Sequence, residues 1–183
     1  MEWTIPGTVL TCPKEEAEQI PEHIRSMFLG GGITLSQVVA ITGLESHTIQ
    51  NWVKRGFLTS PEKKRYSLRQ LCRILNIHML KYAIPLDKVC ALLGYVNGRL
   101  DDEQDDIIDD SELYFLFVGL AAQADTLLQA TDREAVIRKA MERYTPPSPG
   151  AQERVEIALR IMLTAHLATR LYQQTENLLH TIL

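Results

Sequence analysis

Apolar residues recur at helical spacing after residue 34, which predicts a short helix there. Thr34 and Gln37 stand three positions apart, the spacing of a capping box, in which each side chain bonds the other residue's backbone N–H. Gly43 is predicted to end the helix, because glycine adopts the left-handed conformation without strain. A turn of about three residues follows. Ser46 is then predicted to cap a second helix.

The second helix is predicted to be amphipathic. Ile49, Trp52 and Val53 recur at i, i+3 and i+4, which places them on one buried stripe. The opposite face carries amide, imidazole and ammonium groups: His47, Gln50, Asn51 and Lys54. Two helices joined in this way form the helix-turn-helix pattern that places its second helix in a major groove. An ordinary polar helix face is the alternative interpretation.

Side-chain chemistry suits the outward residues to reading DNA. An amide donates and accepts at once, so Gln50 and Asn51 match adenine N6 and N7, with His47 beside them. A lysine such as Lys54 serves either guanine or a phosphate. Gln50 and Asn51, with His47, are the candidates for base recognition.

A small β wing is predicted over residues 57–66, where proline and charged residues stand between apolar ends. Lys63, Lys64 and Arg65 form its tip, and we expect them to lie on phosphates. Ser67 and Gln70 then repeat the capping-box spacing and start a further helix. Arg69 and Arg73 fall outside the apolar stripe of that helix. With Lys54 and Arg55, the wing cations and Arg69 give six candidate phosphate contacts.

Further helices are predicted along the rest of the chain, which makes the fold all-α, mainly helical. A short helix with Pro21 in its first turn lies in the N-terminal arm. Another opens at Pro85 and is expected to end at Gly94, with Cys90 as an unreactive packing residue. The C-terminal part predicts helices from Ser111 to about Ala130, from Asp132 to Tyr144 and over 151–180, with a proline-rich break before the last.

Charge is segregated along the 183 residues, although the net charge is only −4. Residues 33–99 carry ten basic and three acidic side chains, a net charge of +7, whereas the segments before and after carry −3 and −8. A basic module between acidic ones indicates that one part of the chain meets a polyanion. Chance clustering of solvated charge is the alternative.

The pattern divides the chain into four segments: an N-terminal arm over 1–32, a winged helix-turn-helix over 33–96, an acidic linker over 97–111 and a helical bundle over 112–183. The acidic segment is expected to be solvated; a second hypothesis is that it folds over the basic face and competes with DNA. Its spacing does not match a calcium loop.

The C-terminal bundle has three interpretations, which do not exclude one another: a helical core, a homodimer surface and an effector pocket. Its last helix carries one broad apolar face, formed by Val155, Ala158, Leu159, Met162, Ala165, His166, Thr169 and Tyr172 and widened by Ile161, Leu163, Leu167 and Leu171. An effector pocket would be lined by Tyr114, Phe115, Phe117, Met162, His166 and Tyr172. Residues of these types at helical spacing are more often simple core.

Other function classes find no support in the sequence. Three dispersed cysteines offer no disulfide framework, which favours a reducing compartment, the cytoplasm. The N-terminus lacks a secretory signal, and the longest near-apolar stretch, 113–122, is about half of the roughly 20 residues that a membrane span needs. The histidines form no metal motif, and the glycines at 30–32 form no phosphate loop. We therefore expect neither an enzyme nor a cofactor.

Three segments resemble the DNA-binding domain of MerR-type regulators: Thr48–Leu58, Arg65–Ser67 and Ile84–Val89. With Trp3 and Ile5-Pro6, the whole chain is similar to a bacterial family of MerR-like proteins catalogued as a domain of unknown function. The resemblance implies a transcription regulator that binds a palindromic promoter site as a homodimer. It also implies that the second helix enters the major groove and that the wing contacts the DNA backbone.

The chain departs from the MerR pattern at two points, and at one of them the dimer helix of MerR proteins is absent from its expected place. An arginine and two tyrosines usually occupy the places that Gln50, Asn51 and Trp52 hold here. A protein-interaction module that kept the fold and lost DNA binding is therefore the alternative function.

Overall fold

The order of helices and strands in the protein comes from a computed structural model that describes residues 2–100, 102, 104–124 and 133–180. Over these residues the elements are β1 (Glu2–Thr4), β2 (Thr11–Pro13), α1 (Ile20–Ser26), β3 (Ile33–Thr34), α2 (Leu35–Thr42), α3 (Ser46–Lys54), β4 (Arg65–Tyr66), α4 (Leu68–Leu80), α5 (Leu86–Asn97), α6 (Asp110–Ala121), α7 (Arg133–Ala140) and α8 (Ala151–Leu179). Short 3₁₀ helices occupy Lys14–Gln19 and Met141–Arg143. The predicted all-α fold is confirmed.

The N-terminal arm forms an antiparallel β1–β2 hairpin before α1, which the sequence did not predict. The predicted short helix is present, with Pro21 in its first turn and Ile24 buried. The hairpin turn is wedged against α4, where a Cβ on Gly7 would lie 2.7 Å from the Leu75 carbonyl oxygen. The Tyr114 hydroxyl of α6 donates to the Pro6 carbonyl oxygen at 2.8 Å. The arm is therefore part of the core.

The first predicted capping box and its glycine end are confirmed around α2. The Gln37 backbone N–H donates to Thr34 Oγ1 at 3.3 Å, and the Thr34 N–H donates to Gln37 Oε1 at 2.8 Å. Gly43 ends α2 with a φ of 69°. The prediction that Ser46 caps α3 is wrong by one residue: Glu45 is the N-cap and makes no side-chain cap bond.

Helix α4 is the centre of the core. Its residues from Leu71 to Ile77 are all buried, and it packs against α2, α5, α6 and α8. One continuous cluster of buried apolar side chains runs from Ile5 to Leu167. The core therefore continues across the predicted linker, because α4 and α6 stand on opposite sides of that linker in sequence and are packed together in space.

The prediction of a solvated acidic linker is wrong for residues 106–110. Ile107 and Ile108 are buried, and both of their backbone N–H groups bond the Val96 carbonyl oxygen, at 3.0 and 3.4 Å. The Asn97 side-chain amide donates to the Ile108 carbonyl oxygen at 2.6 Å. Asn97 also lies inside α5, so the expected end of that helix at Gly94 is wrong; burial of Val96 and Asn97 carries the helix one turn further.

The C-terminal helices begin close to their predicted starts, but the first of them is shorter than predicted. It ends at Ala121, and residues 122 and 123 form a turn, so the predicted helix to about Ala130 is wrong. Helix α6 begins at Asp110, the stretch 125–132 with the predicted Asp132 cap lies outside the described residues, and α8 starts at Ala151 as predicted. The predicted broad face of α8 packs into the protein's own core through Val155 and Met162. Tyr172 does not belong to that face, since it is 65% exposed.

The predicted effector pocket does not form from its proposed lining. Tyr114, Phe117 and Met162 are completely buried in the core, and the edge of the His166 ring packs on Phe117 with centroids 5.5 Å apart. Phe115 packs against the core and carries the Arg25 guanidinium on its ring. The apolar spacing that indicated a pocket is the spacing of packed helices, as the alternative interpretation held.

Candidate nucleic-acid interface

Helix α3 separates an apolar face from a polar one. Ile49 is fully buried and Trp52 is 3% exposed, which fixes the rotation of the helix against the core. The predicted base-reading residues and the lysine beside them are all exposed on the opposite face: His47, Gln50, Asn51 and Lys54. They stand at i, i+3, i+4 and i+7, so they form one stripe along two turns of helix.

The predicted wing is a tight β-hairpin. Its strand β4 pairs with β3, the strand that leads into α2, and Glu62 bridges to Arg65 across the turn. Lys63 and Lys64 form the turn with φ values of 48° and 64°. Two successive left-handed residues between paired strands are the geometry of a type I′ turn. Both lysines are exposed at the tip.

Side-chain hydrogen bonds also hold the wing to the rest of the fold. Arg65 is exposed and donates through Nη1 to the Gly32 carbonyl oxygen at 3.0 Å. The Gln70 side-chain amide donates to Thr59 Oγ1 at 2.9 Å and to the Thr59 and Ser60 carbonyl oxygens at 3.0 and 3.1 Å. Because Gln70 also completes the second predicted capping box, with Ser67, the start of α4 and the wing are fixed together.

The Arg55 side chain lies between α3 and the wing in sequence and packs on an aromatic ring. Its guanidinium carbon is 4.4 Å from the centre of the Phe57 ring, while the side chain stays exposed. This packing orders the cation at little cost in hydration. Arg55 is therefore available to an external anion.

Arg69 does not reach the surface as a free cation, in contrast to its predicted role on phosphates. Its Nη2 atom lies 2.7 Å from Asp106 Oδ2, and its Nε atom lies 3.7 Å from carboxylate oxygens of Asp109 and Asp110. We call Asp106, Asp109 and Asp110 the carboxylate cluster. Sequence reasoning missed this contact because the partners stand about forty positions apart and the acids were assigned to solvent.

Arg73 forms a second, more deeply buried pair with the carboxylate cluster. Arg73 is 6% exposed and Asp110 is fully buried, with Nη1 3.2 Å from Oδ2. The Arg73 Nε atom also donates to the Phe57 carbonyl oxygen at 2.8 Å, and the Asn76 amide donates to the Asp110 carbonyl oxygen at 3.2 Å. The start of the wing, α4 and the start of α6 are thus linked through one network.

The acidic segment contacts the basic module at α4, through Arg69 and Arg73. This contact can be compared with the hypothesis that the acidic segment covers the DNA-binding face. Among the described residues, the ion pairs of the cluster are with Arg69 and Arg73, and none involves α3 or the wing tip. A cleft of about 750 Å³ is lined by wing residues such as Thr59 and Lys63 and by the Arg69 and Asp110 network. The cations of α3 and the wing tip remain exposed.

Asp106 makes the stability of the protein depend on pH. Burial raises the pKa of Asp106 to about 6, although Arg69 beside it acts in the opposite direction, and the neighbouring carboxylates add to the rise. The unfolded residue releases its proton near pH 4, so the folded state binds more protons between about pH 4 and 6. The contribution of Asp106 to stability is therefore present below pH 4 and falls as the pH rises to about 6.

Replacement of Asp106 by asparagine, Asp106→Asn, should remove this pH dependence. The free energy of unfolding of the variant, relative to the unchanged protein, should rise between about pH 4 and 6 and stay level above that range. Urea denaturation at pH 4, 5, 6 and 7 measures the difference. The exposed Asp87→Asn variant is the matched control. A difference that does not change with pH would contradict the titration assigned to Asp106.

A second groove, of about 440 Å³, lies on another side of the molecule. It is lined by the N-terminal hairpin, including Trp3, by His78 and Tyr82 of α4, and by His166 and Arg170 of α8. Of the residues predicted to line an effector pocket, His166 is the one that borders this groove.

The thiols of the described core are held protonated. Burial raises the pKa of the Cys72 thiol well above its ordinary value, and the carboxylates of Asp110 and Asp109 add to the rise. Burial also raises the pKa of the half-buried Cys90 thiol. Among the residues that the structure describes, no group of three or more His, Cys, Asp or Glu side chains is placed so that it could hold a metal ion. Within those residues, no helix has the length and apolar character to span a bilayer.

Comparison with known families identifies the segment that contains this interface. A family model described as a domain of unknown function (DUF1836) matches residues 24–117, which is half of the chain. The chain belongs to the DUF1836 family. In this DUF1836 protein the matched residues run from α1 into α6, so they include α3, the wing and the carboxylate cluster.

A curated relative of this DUF1836 protein is the uncharacterized protein YkrK of Bacillus subtilis (strain 168). The two are 31% identical over 86 residues, which cover 45% of this chain and 37% of the relative. The chain thus matches little more than a third of the length of that relative. No solved structure matches the chain.

Proposed function

We propose that this DUF1836 protein is a cytoplasmic transcription regulator that binds double-stranded DNA, with α3 in the major groove and the wing against the backbone. The observation that carries the proposal is the stripe of His47, Gln50, Asn51 and Lys54, exposed on a helix whose other face is buried. The resemblance of residues 33–96 to MerR-type DNA-binding domains supports the same arrangement and implies a homodimer on a palindromic site.

Electrostatic attraction to phosphates should supply most of the affinity for DNA. Five exposed cations of α3 and the wing are available to phosphates: Lys54, Arg55, Lys63, Lys64 and Arg65. Five phosphate contacts per subunit give a slope of about −4.5 for log affinity against log salt. Mobility shifts on the DNA upstream of the protein's own gene, at several salt concentrations, measure this slope. Affinity that does not change with salt would overturn the proposal.

Base recognition should depend on Asn51. The variant Asn51→Ala should lose about 1–3 kcal/mol of binding free energy on the cognate site, because the bidentate bond to adenine disappears. The same variant should lose much less on random DNA, which offers phosphates alone. Fluorescence anisotropy with both duplexes measures the two losses. Equal losses on both would assign Asn51 to another role.

The alternative function is a protein-interaction module that does not bind DNA. The observation that favours it is the carboxylate cluster, which engages Arg69 and Arg73 within the fold and so reduces the basic surface. Heparin retention separates the two proposals, because a DNA-binding face is retained through its exposed cations and released by salt. A protein that neither binds heparin nor shifts its upstream DNA would support the interaction module.

A further inference from the structure

The outer side of α8 carries a seam of exposed, mainly apolar residues. We define the seam by its residues: Ile161, Thr164, Ala168, Leu171, Thr175 and Leu178. Their separations alternate between three and four positions, and all six side chains are exposed. The sequence continues the same spacing at Ile182. An apolar repeat of this kind, averaging 3.5 residues, is typical of a coiled-coil seam.

The seam differs from the side of α8 that faces the protein's own core. The inward side is carried by Val155, Leu159 and Met162, which are fully buried. Beyond Arg170 every residue to His180 is exposed, so the end of α8 extends past the core. The nine helical residues among these, 171–179, measure about 14 Å. The projecting end includes Leu171 at 51% exposure and Leu178 at 68%.

The residues that flank the projecting part of the seam are compatible with pairing to an identical helix. Tyr172, Gln174 and Leu179 stand at the flanking positions and carry no charge, so two copies would not repel each other there. The Thr175 hydroxyl donates to the Leu171 carbonyl oxygen at 3.0 Å within its own helix. Its methyl group can therefore face a partner without leaving an unbonded donor.

We propose that α8 forms a coiled coil with α8 of a second copy of this chain, packed through the seam. A second copy presents the same apolar repeat, and a two-fold axis brings like residues together without any other partner. The proposal gives the expected homodimer a defined interface. It does not require DNA binding, because the seam lies outside α3 and the wing.

Sedimentation velocity of the full chain without DNA tests the proposal. The unchanged protein should be a dimer at micromolar concentration, and the double variant Leu171→Glu with Leu178→Glu should be a monomer, because four carboxylates would enter the seam. Gln173→Glu with Asn177→Glu adds the same charge at exposed positions off the seam and should stay dimeric. The proposal would be overturned if the unchanged protein were a monomer, or if the seam variant remained a dimer. It would also be overturned if the control variant dissociated as much as the seam variant.

A second variant tests the seam in the opposite direction. Thr175→Val replaces a hydroxyl with a methyl group at a position where β-branched apolar residues favour two-stranded coils. The dimer dissociation constant should fall by about tenfold, because each chain buries an additional methyl group. An unchanged constant would contradict the packing of Thr175 in the seam. Mobility shifts with the monomeric double variant separate the two proposals, since DNA binding to a half-site does not depend on the seam.

Discussion

Replacement of Asp110 by asparagine, Asp110→Asn, should lower the free energy of unfolding by about 3–5 kcal/mol, because it leaves the Arg73 guanidinium buried without its counter-ion. Asp110 is fully buried and Arg73 is 6% exposed, so water cannot replace the lost carboxylate. Urea denaturation at pH 7 measures the loss. It should be the largest effect on stability of any single polar substitution in the network.

Two further variants make this result specific to the ion pair. Glu176→Gln removes an exposed carboxylate of α8 and should change stability by less than about 0.5 kcal/mol. Arg73→Met combined with Asp110→Leu replaces both charges with apolar side chains and should recover most of the loss, since a buried pair is often no more stable than its apolar substitute. A loss in Asp110→Asn no larger than that of Glu176→Gln would contradict the importance of the pair.

The second large effect is expected at the wing tip. Lys63→Asn combined with Lys64→Gly removes two cations and supplies the residue pair that type I′ turns prefer. Both positions have positive φ, at 48° and 64°, so the hairpin should become more stable while DNA affinity falls. The slope of log affinity against log salt should decrease in magnitude by about two per subunit. Thermal unfolding and mobility shifts measure the two changes.

The matched control removes two exposed cations away from the proposed interface. Lys88→Asn with Lys139→Asn changes net charge by the same amount on α5 and α7. Its salt slope should equal that of the unchanged protein. If the control lowers the slope as much as the wing variant does, overall charge would explain DNA affinity and the wing would have no special role.

Local sequence signals predicted the elements whose contacts are local. Both capping boxes, at Thr34 and Ser67, span three residues, so the hydrogen bonds that start α2 and α4 can be read from neighbouring positions. The positive φ of Gly43 and the burial of Ile49 beside exposed Asn51 follow from the same short-range rules. The four outward residues of α3 were found in this way.

Contacts between distant parts of the chain were not predicted. Arg69 and Arg73 fall on the polar side of α4 by spacing, yet the fold places Asp106 and Asp110 against them. Helical periodicity gives the side of a helix on which a residue lies, and it does not tell which other element covers that side. The same limit applies to α8, whose apolar residues could not be divided between core and surface without the packing of α4, α5 and α6.

The anchoring of the N-terminal turn has a consequence for how the protein is made. Gly7 packs against Leu75, and Pro6 accepts a hydrogen bond from the Tyr114 hydroxyl, both of which are synthesised much later. Contacts of such long sequence separation form slowly and late. On the ribosome, the Glu2–Pro13 hairpin must therefore wait for α6 to emerge. We expect a nascent chain halted before residue 114 to leave that hairpin open to protease.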